Sequence, residues 1–308
     1  MFPRSILVIN SKIGQLGNSL LVSSHVIASA IENNLLVINI PFDDYAEFFI
    51  GTKNNLLCSY PYSLVYFPIS KKMMLRGRTA FLIRKLIQKM NKYRIFSDYY
   101  KHHIEFINID WSDRFSLESR DFLDQLTSKK IRVLNGWNFR AESNVIKHAA
   151  KIRSYFSPLP IYQQRVTKFL DWLNKLNKKY DYIVGIHIRQ GDYKRWHSGR
   201  FFYTTAIYKE IIQSIYSVLE SKKILFIVCS DVPQKEQFNN TKDIVFGSGH
   251  LIEDIYLLSK CDYIIGPPST FSLWASFYGE TPLYHIYDPS HLPKIQDFKV
   301  QDDLLWNL

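Results

Sequence analysis

Several things are scarce in this 308-residue chain, and each scarcity removes a class of explanation. Cysteine occurs three times, at Cys58, Cys229 and Cys261, an odd number with two members in apolar runs. That pattern fits free thiols in a reducing compartment, not a disulfide framework. No run of about 18 apolar residues occurs, so the sequence predicts no membrane-spanning helix. Met1-Phe2-Pro3-Arg4 leads into a short apolar stretch ending at the polar Asn10 and Ser11, without a small-residue cleavage site. It reads as a first β-strand and not as a signal peptide, and the expected location is cytoplasmic. There is no Gly-x-Gly-x-x-Gly after that strand, since Gly14-Gln-Leu-Gly17 differs, and no Gly-x-x-x-x-Gly-Lys-Ser/Thr. Dinucleotide oxidoreductase and P-loop chemistries are set aside accordingly. His102-His103 and the scattered cysteines lack a second pair at ligand spacing, so no metal site is expected.

What is present is a globular composition, 46% hydrophobic and 22% charged, long enough for two domains. The net charge of +11 calls for an anionic partner. Zinc-finger, basic-zipper and RNP-type signatures are missing, which points away from nucleic acid. A phosphorylated ligand and a membrane surface remain.

Apolar β-branched runs and amphipathic stretches alternate along the chain. A strand at 5–10, a Gly-containing loop at 11–18, a helix at 19–32 and a strand at 35–40 make a parallel βαβ unit. Residues 41–130 are less regular, with aromatic loops near 60–67, a basic helix over 75–92 and a strand at 104–109. A further strand follows at 131–135. A helix over 161–179 closes the first domain, 1–178. The second domain, 179–308, alternates clearly: strands at 182–188, 224–229, 263–266 and 283–286, helices at 204–220, 253–260 and 271–278. Such doubly wound α/β sheets bind ligands at the carboxyl ends of their strands, so the loops after Ile188, Cys229 and Gly266 carry most of the functional interest.

After the first of these strands stands Gly185-Ile-His187-Ile-Arg189-Gln-Gly191-Asp192-Tyr193. Residues two apart in a strand share a face, which places His187 and Arg189 together. Arg189 offers a planar fork of donors to a phosphate, His187 a hydrogen bond to a base or sugar. Gly191 permits a sharp turn, and Asp192 orients Arg189 from behind. A structural ion pair satisfies the same spacing. The third strand ends in Gly266-Pro-Pro-Ser269-Thr270-Phe271-Ser272, where hydroxyls precede a helix. They serve equally as N-caps and as part of a phosphate site built on free helix amides. Asp254 opens another helix, where dipole compensation explains a carboxylate; so does acceptance of two hydrogen bonds from guanine.

The string His187-Ile-Arg189-Gln-Gly-Asp192-Tyr, the segment from Asp254 to Ile265, and Ser269-Thr-Phe-Ser-Leu-Trp274 together resemble the α1,2-/α1,6-/protein-O-fucosyltransferase superfamily. The likeness is strongest to its bacterial α1,2-fucosyltransferase-like branch. Ile13-Gly14-Gln-Leu-Gly17-Asn18-Ser19 is similar to that group's N-terminal Gly-x-x-Gly-Asn loop, so the resemblance runs from residue 13 to about 279. It implies a GT-B architecture of two facing Rossmann-like domains, with acceptor in the cleft and no metal or other cofactor. The absence of Asp-x-Asp agrees with that. It further implies a GDP-sugar donor, fucose preferred, and transfer with inversion to a glycan hydroxyl, as in surface polysaccharide or lipid-linked oligosaccharide synthesis. Matching positions assign His187 and Asp254 to guanine, Arg189 to the β-phosphate, and Ser269, Thr270 and Phe271 to its support. Gly17 and Asn18 approach the pyrophosphate from the first domain. Two departures stand out: Gln190 replaces the usual second Arg, and Leu273-Trp274-Ala275-Ser276 replaces a Trp-Trp-Gly-Ala-like tail. No family acid matches a base position, which leaves Asp192 and His197 as the nearest titratable candidates. Alternatives are another GDP-sugar, or a non-catalytic basic GT-B scaffold. The helix over 75–92 interleaves Arg76, Arg78, Arg84, Lys85, Lys89 and Lys92 with Phe81, Leu82, Leu86 and Ile87, a pattern suited either to a solvated face or to peripheral contact with an anionic membrane.

Overall fold

The computed structural model describes residues 5–66, 73–93, 103–126, 128, 130–175, 180–220, 222–238 and 243–306; side chains of 73–76, 92 and 93 lie outside the description. The chain forms two compact units, Met1–Leu159 and Pro160–Leu308.

In the first unit, β1 (Ile6–Ile9) feeds α1 (Leu16–Asn33) and returns through β2 (Leu36–Asn39), the expected parallel βαβ unit. Then come α2 (Met73–Tyr93), β3 (Ile104–Asn108), β4 (Phe115–Ser116), α3 (Arg120–Gln125), β5 (Ile131–Asn135), β6 (Phe139–Arg140) and α4 (Glu142–Tyr155). Four strands make a parallel sheet in the order β2-β1-β5-β3, while β4 and β6 pair separately. Helix α1 begins three residues before the expected 19, so Gly17 and Asn18 sit in its first turn. Gly14 at φ +52 turns the preceding loop back against the Asn18 side chain, a close approach that leaves no room for a Cβ.

The second unit opens on α5 (Pro160–Lys175), continues through β7 (Tyr182–Ile188), α6 (Thr205–Val218), β8 (Ile224–Ser230), β9 (Ile244–Phe246), α7 (Leu251–Leu258), β10 (Tyr263–Gly266) and α8 (Thr270–Gly279), and ends on β11 (Leu283–His285). Its five strands are all parallel, in the order β11-β10-β7-β8-β9. Chain order runs outward from β7 in one direction and then from β10 in the other, which is doubly wound, Rossmann-like topology with its switch point between β7 and β10. Val184, Ile186, Ile188, Phe226 and Val228 are buried on the sheet, against Tyr208, Ile211, Ile212 and Ile215 of α6. The α/β class is therefore as the alternation implied.

The division between units differs from the expected 178/179. Helix α5 packs on α7 through a stacked Tyr162–His250 pair, ring centroids 5.0 Å apart, and an Arg165–Glu253 ion pair at 2.8 Å. These contacts make α5 the first element of the second unit instead of the last of the first, and residues 176–179 of the expected helix lie outside the described residues. All three cysteines are free and buried. Among the described residues, no helix is long and apolar enough to cross a membrane.

Candidate functional site

The switch point brings two loops together. Strand β7 pairs with β10 in a register that sets Ile186 beside Ile265, so the segments after Ile188 and after Gly266 emerge side by side. The Tyr193 hydroxyl donates to the Pro268 carbonyl at 2.5 Å and fastens one loop to the other. Burial raises the Tyr193 phenol's pKa, keeping it a neutral donor.

Arg189 lies on the first loop. Its Nε donates to Asp192 Oδ1 at 2.8 Å and its Nη2 to Asp192 Oδ2 at 3.0 Å, a bidentate pair. Asp192 thus orients Arg189, and its side chain remains 53% exposed. A second carboxylate that sequence reasoning missed completes the arrangement. Asp231, directly after β8, accepts from the backbone N–H of Gln190 at 2.9 Å and of Gly191 at 3.0 Å, and stands 3.5 Å from Arg189 Nε. A Cβ at Gly191 would lie 2.8 Å from Asp231 Oδ2, so the glycine makes this clamp possible. Gln190 points inward: its amide donates to the Tyr203 carbonyl at 2.8 Å and accepts from Gln234 at 2.7 Å.

His187, the next-to-last residue of β7, is buried. It is 3% exposed and packs against Phe271, ring centroids 5.1 Å apart, while Gly266 leaves room for its Cβ. The strand ends at Ile188, one residue before Arg189. Burial, with the Arg189 charge and His285 nearby, pushes its pKa down to about 3, so the imidazole is neutral; its buried Nδ1 has no hydrogen-bond partner among the described residues. His285 is likewise depressed to about 3 by burial and sits 3.2 Å from the Ser272 hydroxyl through Nε2.

The second loop ends in α8. Ser269 caps that helix, its Oγ accepting from the Phe271 N–H at 3.2 Å, and Thr270 is its first residue. The amides of its first turn and the Arg189 guanidinium therefore share one edge of the sheet, a combination suited to an anion.

Asp254 belongs to the wall of a cavity of about 690 Å³ beyond β8 and β9, lined also by Asp231, Val232, Gln237, Gly247 and Ser248. Asp254 is 5% exposed, and burial pushes its carboxyl pKa up to about 6 against the restraint of the Gly249 and Ser248 N–H groups. Gly249 N–H stands 3.3 Å from Oδ1. His250 caps α7 by accepting from the N–H of Ile252 and Glu253. Gly247 matters for a geometric reason: a Cβ there would lie 2.5 Å from Asp254 Oδ1 and 3.0 Å from Cys229 Sγ.

His197 is exposed on a short 3-10 turn with left-handed backbone, φ 46, as is Ser198, φ 55; Trp196 packs against its ring at 4.5 Å. It is not in hydrogen-bond contact with Arg189 or Asp192. Gly17 and Asn18 belong to the first unit, at the carboxyl end of β1. Among the described residues, no group of three or more His, Cys, Asp or Glu side chains could hold a metal ion.

Residues 161–284 match the family model described as glycosyl transferase family 11. No curated protein matches the chain. Among solved structures, an Arabidopsis thaliana FUT1 mutant in complex with GDP is 13% identical, with TM-score 0.54, covering 96% of this chain and 73% of that one. Bradyrhizobium NodZ, an α-1,6-fucosyltransferase soaked with GDP-fucose, is 15% identical at TM-score 0.51, covering 93% and 97%. POFUT1 in complex with GDP-fucose is 13% identical at TM-score 0.50, covering 90% and 95%. At these identities the structures speak for the fold, which is GT-B; the matched segment runs from α5 to Tyr284 of β11 and contains Arg189, Asp231, Asp254 and Ser269.

Proposed function

We propose that this chain, whose second unit carries a glycosyl transferase family 11 segment, transfers fucose from GDP-fucose to a hydroxyl of a glycan. One observation supports this reading above the others: the Arg189 fork and the capped start of α8 meet at the switch point, fastened by Tyr193 to Pro268. A diphosphate held there leads its nucleoside toward the cavity containing Asp254, where a carboxylate can take two N–H donors from guanine. His187 contributes from beneath as a neutral, buried support for the α8 end. The first unit we assign to the acceptor side.

The chemistry we assign is a single inverting displacement without a metal. As the anomeric C–O bond to GDP breaks, charge accumulates on the β-phosphate and is stabilised by Arg189 and the α8 amides, groups already oriented before reaction. The acceptor oxygen forms the new bond on the opposite face and gives up its proton late. Of the two base candidates, His197 is the one not held by Arg189, which engages both oxygens of Asp192. A cytoplasmic role in surface polysaccharide or lipid-linked oligosaccharide synthesis fits this reaction.

A donor screen across GDP-fucose, GDP-mannose, UDP- and dTDP-sugars with wild type and Arg189→Lys tests the proposal. Wild type should prefer GDP-fucose, stay active in EDTA and yield an α-glycoside from the β-linked donor. Arg189→Lys should lose about 2–3 kcal/mol of transition-state stabilisation, because a point charge does not reproduce the fork. Near wild-type turnover by that variant, or a strict Mg²⁺ requirement, would overturn the site or the mechanism respectively.

A further inference from the structure

The positive charge of this protein is not spread over it. Residues 48–97 contain ten Lys and Arg and no Asp or Glu, so the other 258 residues stand near balance, 29 basic to 28 acidic. Helix α2 runs through the centre of that stretch. Its inner face is accounted for: Ala80, Ile83 and Ile87 pack on Val8, Ile40 and Val133 at the first unit's sheet. The outer face is where the pattern departs from an ordinary surface helix, whose solvent side is polar.

Arg78, Lys85 and Lys89, all exposed, recur at spacings of seven and four and form one stripe along the helix. Phe81, 51% exposed, flanks the stripe on one side; Leu82 and Leu86, 66% and 61% exposed, flank it on the other. Lys85 Nζ lies 5.6 Å from the Phe81 ring centroid, its stem alongside the aromatic face. Cations in the centre with large apolar groups on both flanks suit a boundary where anionic head groups meet hydrocarbon. Nucleic acid would use the cations and leave three large apolar side chains in water.

We propose that the outer face of α2 is a docking surface for an anionic lipid bilayer, which it meets with Arg78, Lys85 and Lys89 at the head groups and Phe81, Leu82 and Leu86 in the acyl boundary. A helix lying in this plane inserts only its apolar flanks and needs no spanning segment. The surface is independent of the donor site.

The test is co-sedimentation of the full chain with phosphatidylglycerol/phosphatidylcholine vesicles against phosphatidylcholine alone. Binding should require the anionic lipid and fall as salt rises. At about fivefold per cation held near an anionic surface, Arg78→Gln/Lys85→Gln/Lys89→Gln should weaken it by about a hundredfold. Phe81→Ser/Leu82→Ser/Leu86→Ser should lose most of the remaining, salt-resistant part. GDP affinity and the circular dichroism spectrum of both variants should match wild type, since none of the six residues packs inward. Equal binding to neutral and anionic vesicles, or unchanged binding by both variants, would overturn the proposal. So would tighter binding to single-stranded RNA than to the anionic vesicles, unaffected by the serine variant.

Discussion

Asp254→Asn should make the unliganded protein more stable while weakening its hold on GDP, and this opposition of signs is the sharpest check on the base pocket. Burial raises the Asp254 carboxyl from 3.8 to about 6. A carboxyl raised in the folded state favours folding below its unfolded value and loses that advantage as pH climbs through the folded one. Two units at about 1.4 kcal/mol each make the ionised form cost the fold about 3 kcal/mol near neutral pH. Asparagine keeps an acceptor for the Gly249 N–H and carries no charge to desolvate. Thermal or urea unfolding near neutral pH should therefore show the variant more stable by about 1–3 kcal/mol, the gap closing in acid below the unfolded value. Guanine, by contrast, requires the ionised acceptor. Wild-type GDP affinity, measured by calorimetry, should fall about tenfold per pH unit below the pKa of Asp254. The asparagine variant should bind at least tenfold more weakly at neutral pH, lose that pH dependence, and bind UDP about as wild type does. A variant that is less stable at neutral pH and titrates GDP with an unchanged profile would refute the reasoning.

Two further substitutions probe residues the site cannot do without. Asp231→Asn replaces one acceptor of the Gln190 and Gly191 N–H groups with a donor, so it should cost about 1–3 kcal/mol of stability and lower kcat with Arg189 intact; unchanged Tm and kcat would remove Asp231 from the clamp. Gly247→Ala places a methyl 2.5 Å from Asp254 Oδ1, so GDP affinity should fall while inorganic phosphate binding stays the same, and equal loss of both would mean a general distortion of the unit.

Much of this site could be read from the residue order. β7 and β10 occupy the expected 182–188 and 263–266, because each is a largely apolar, β-branched run buried along most of its length. Asp192 behind Arg189 and Ser269 at the head of α8 also stand where short-range geometry requires. Other features depend on contacts that no local pattern announces. Helix α4 buries only Val145 and Ile152, too sparse a stripe for its period to show, and β9 is three half-buried residues. α7 starts at Leu251 because His250, an uncommon cap, accepts the first-turn amides. Topology points to the loop after Cys229, yet Asp231 acquires its role only through partners some 40 residues away. Gln190 looks like a lost charge in the sequence; in the fold it is a two-way amide link between Tyr203 and Gln234.

In the proposed donor site the Arg189–Asp192 pair supplies a resident counter-ion. A diphosphate reaching for the guanidinium must compete with a carboxylate that already holds two of its N–H groups and is tethered three residues away. A stray phosphate ion brings nothing else to that contest, whereas a nucleotide anchored in the neighbouring cavity brings its phosphates at high local concentration. On the proposed reaction, the same carboxylate stands ready after transfer to reclaim the fork, so departure of the spent nucleotide would be an exchange of partners that leaves no bare charge behind.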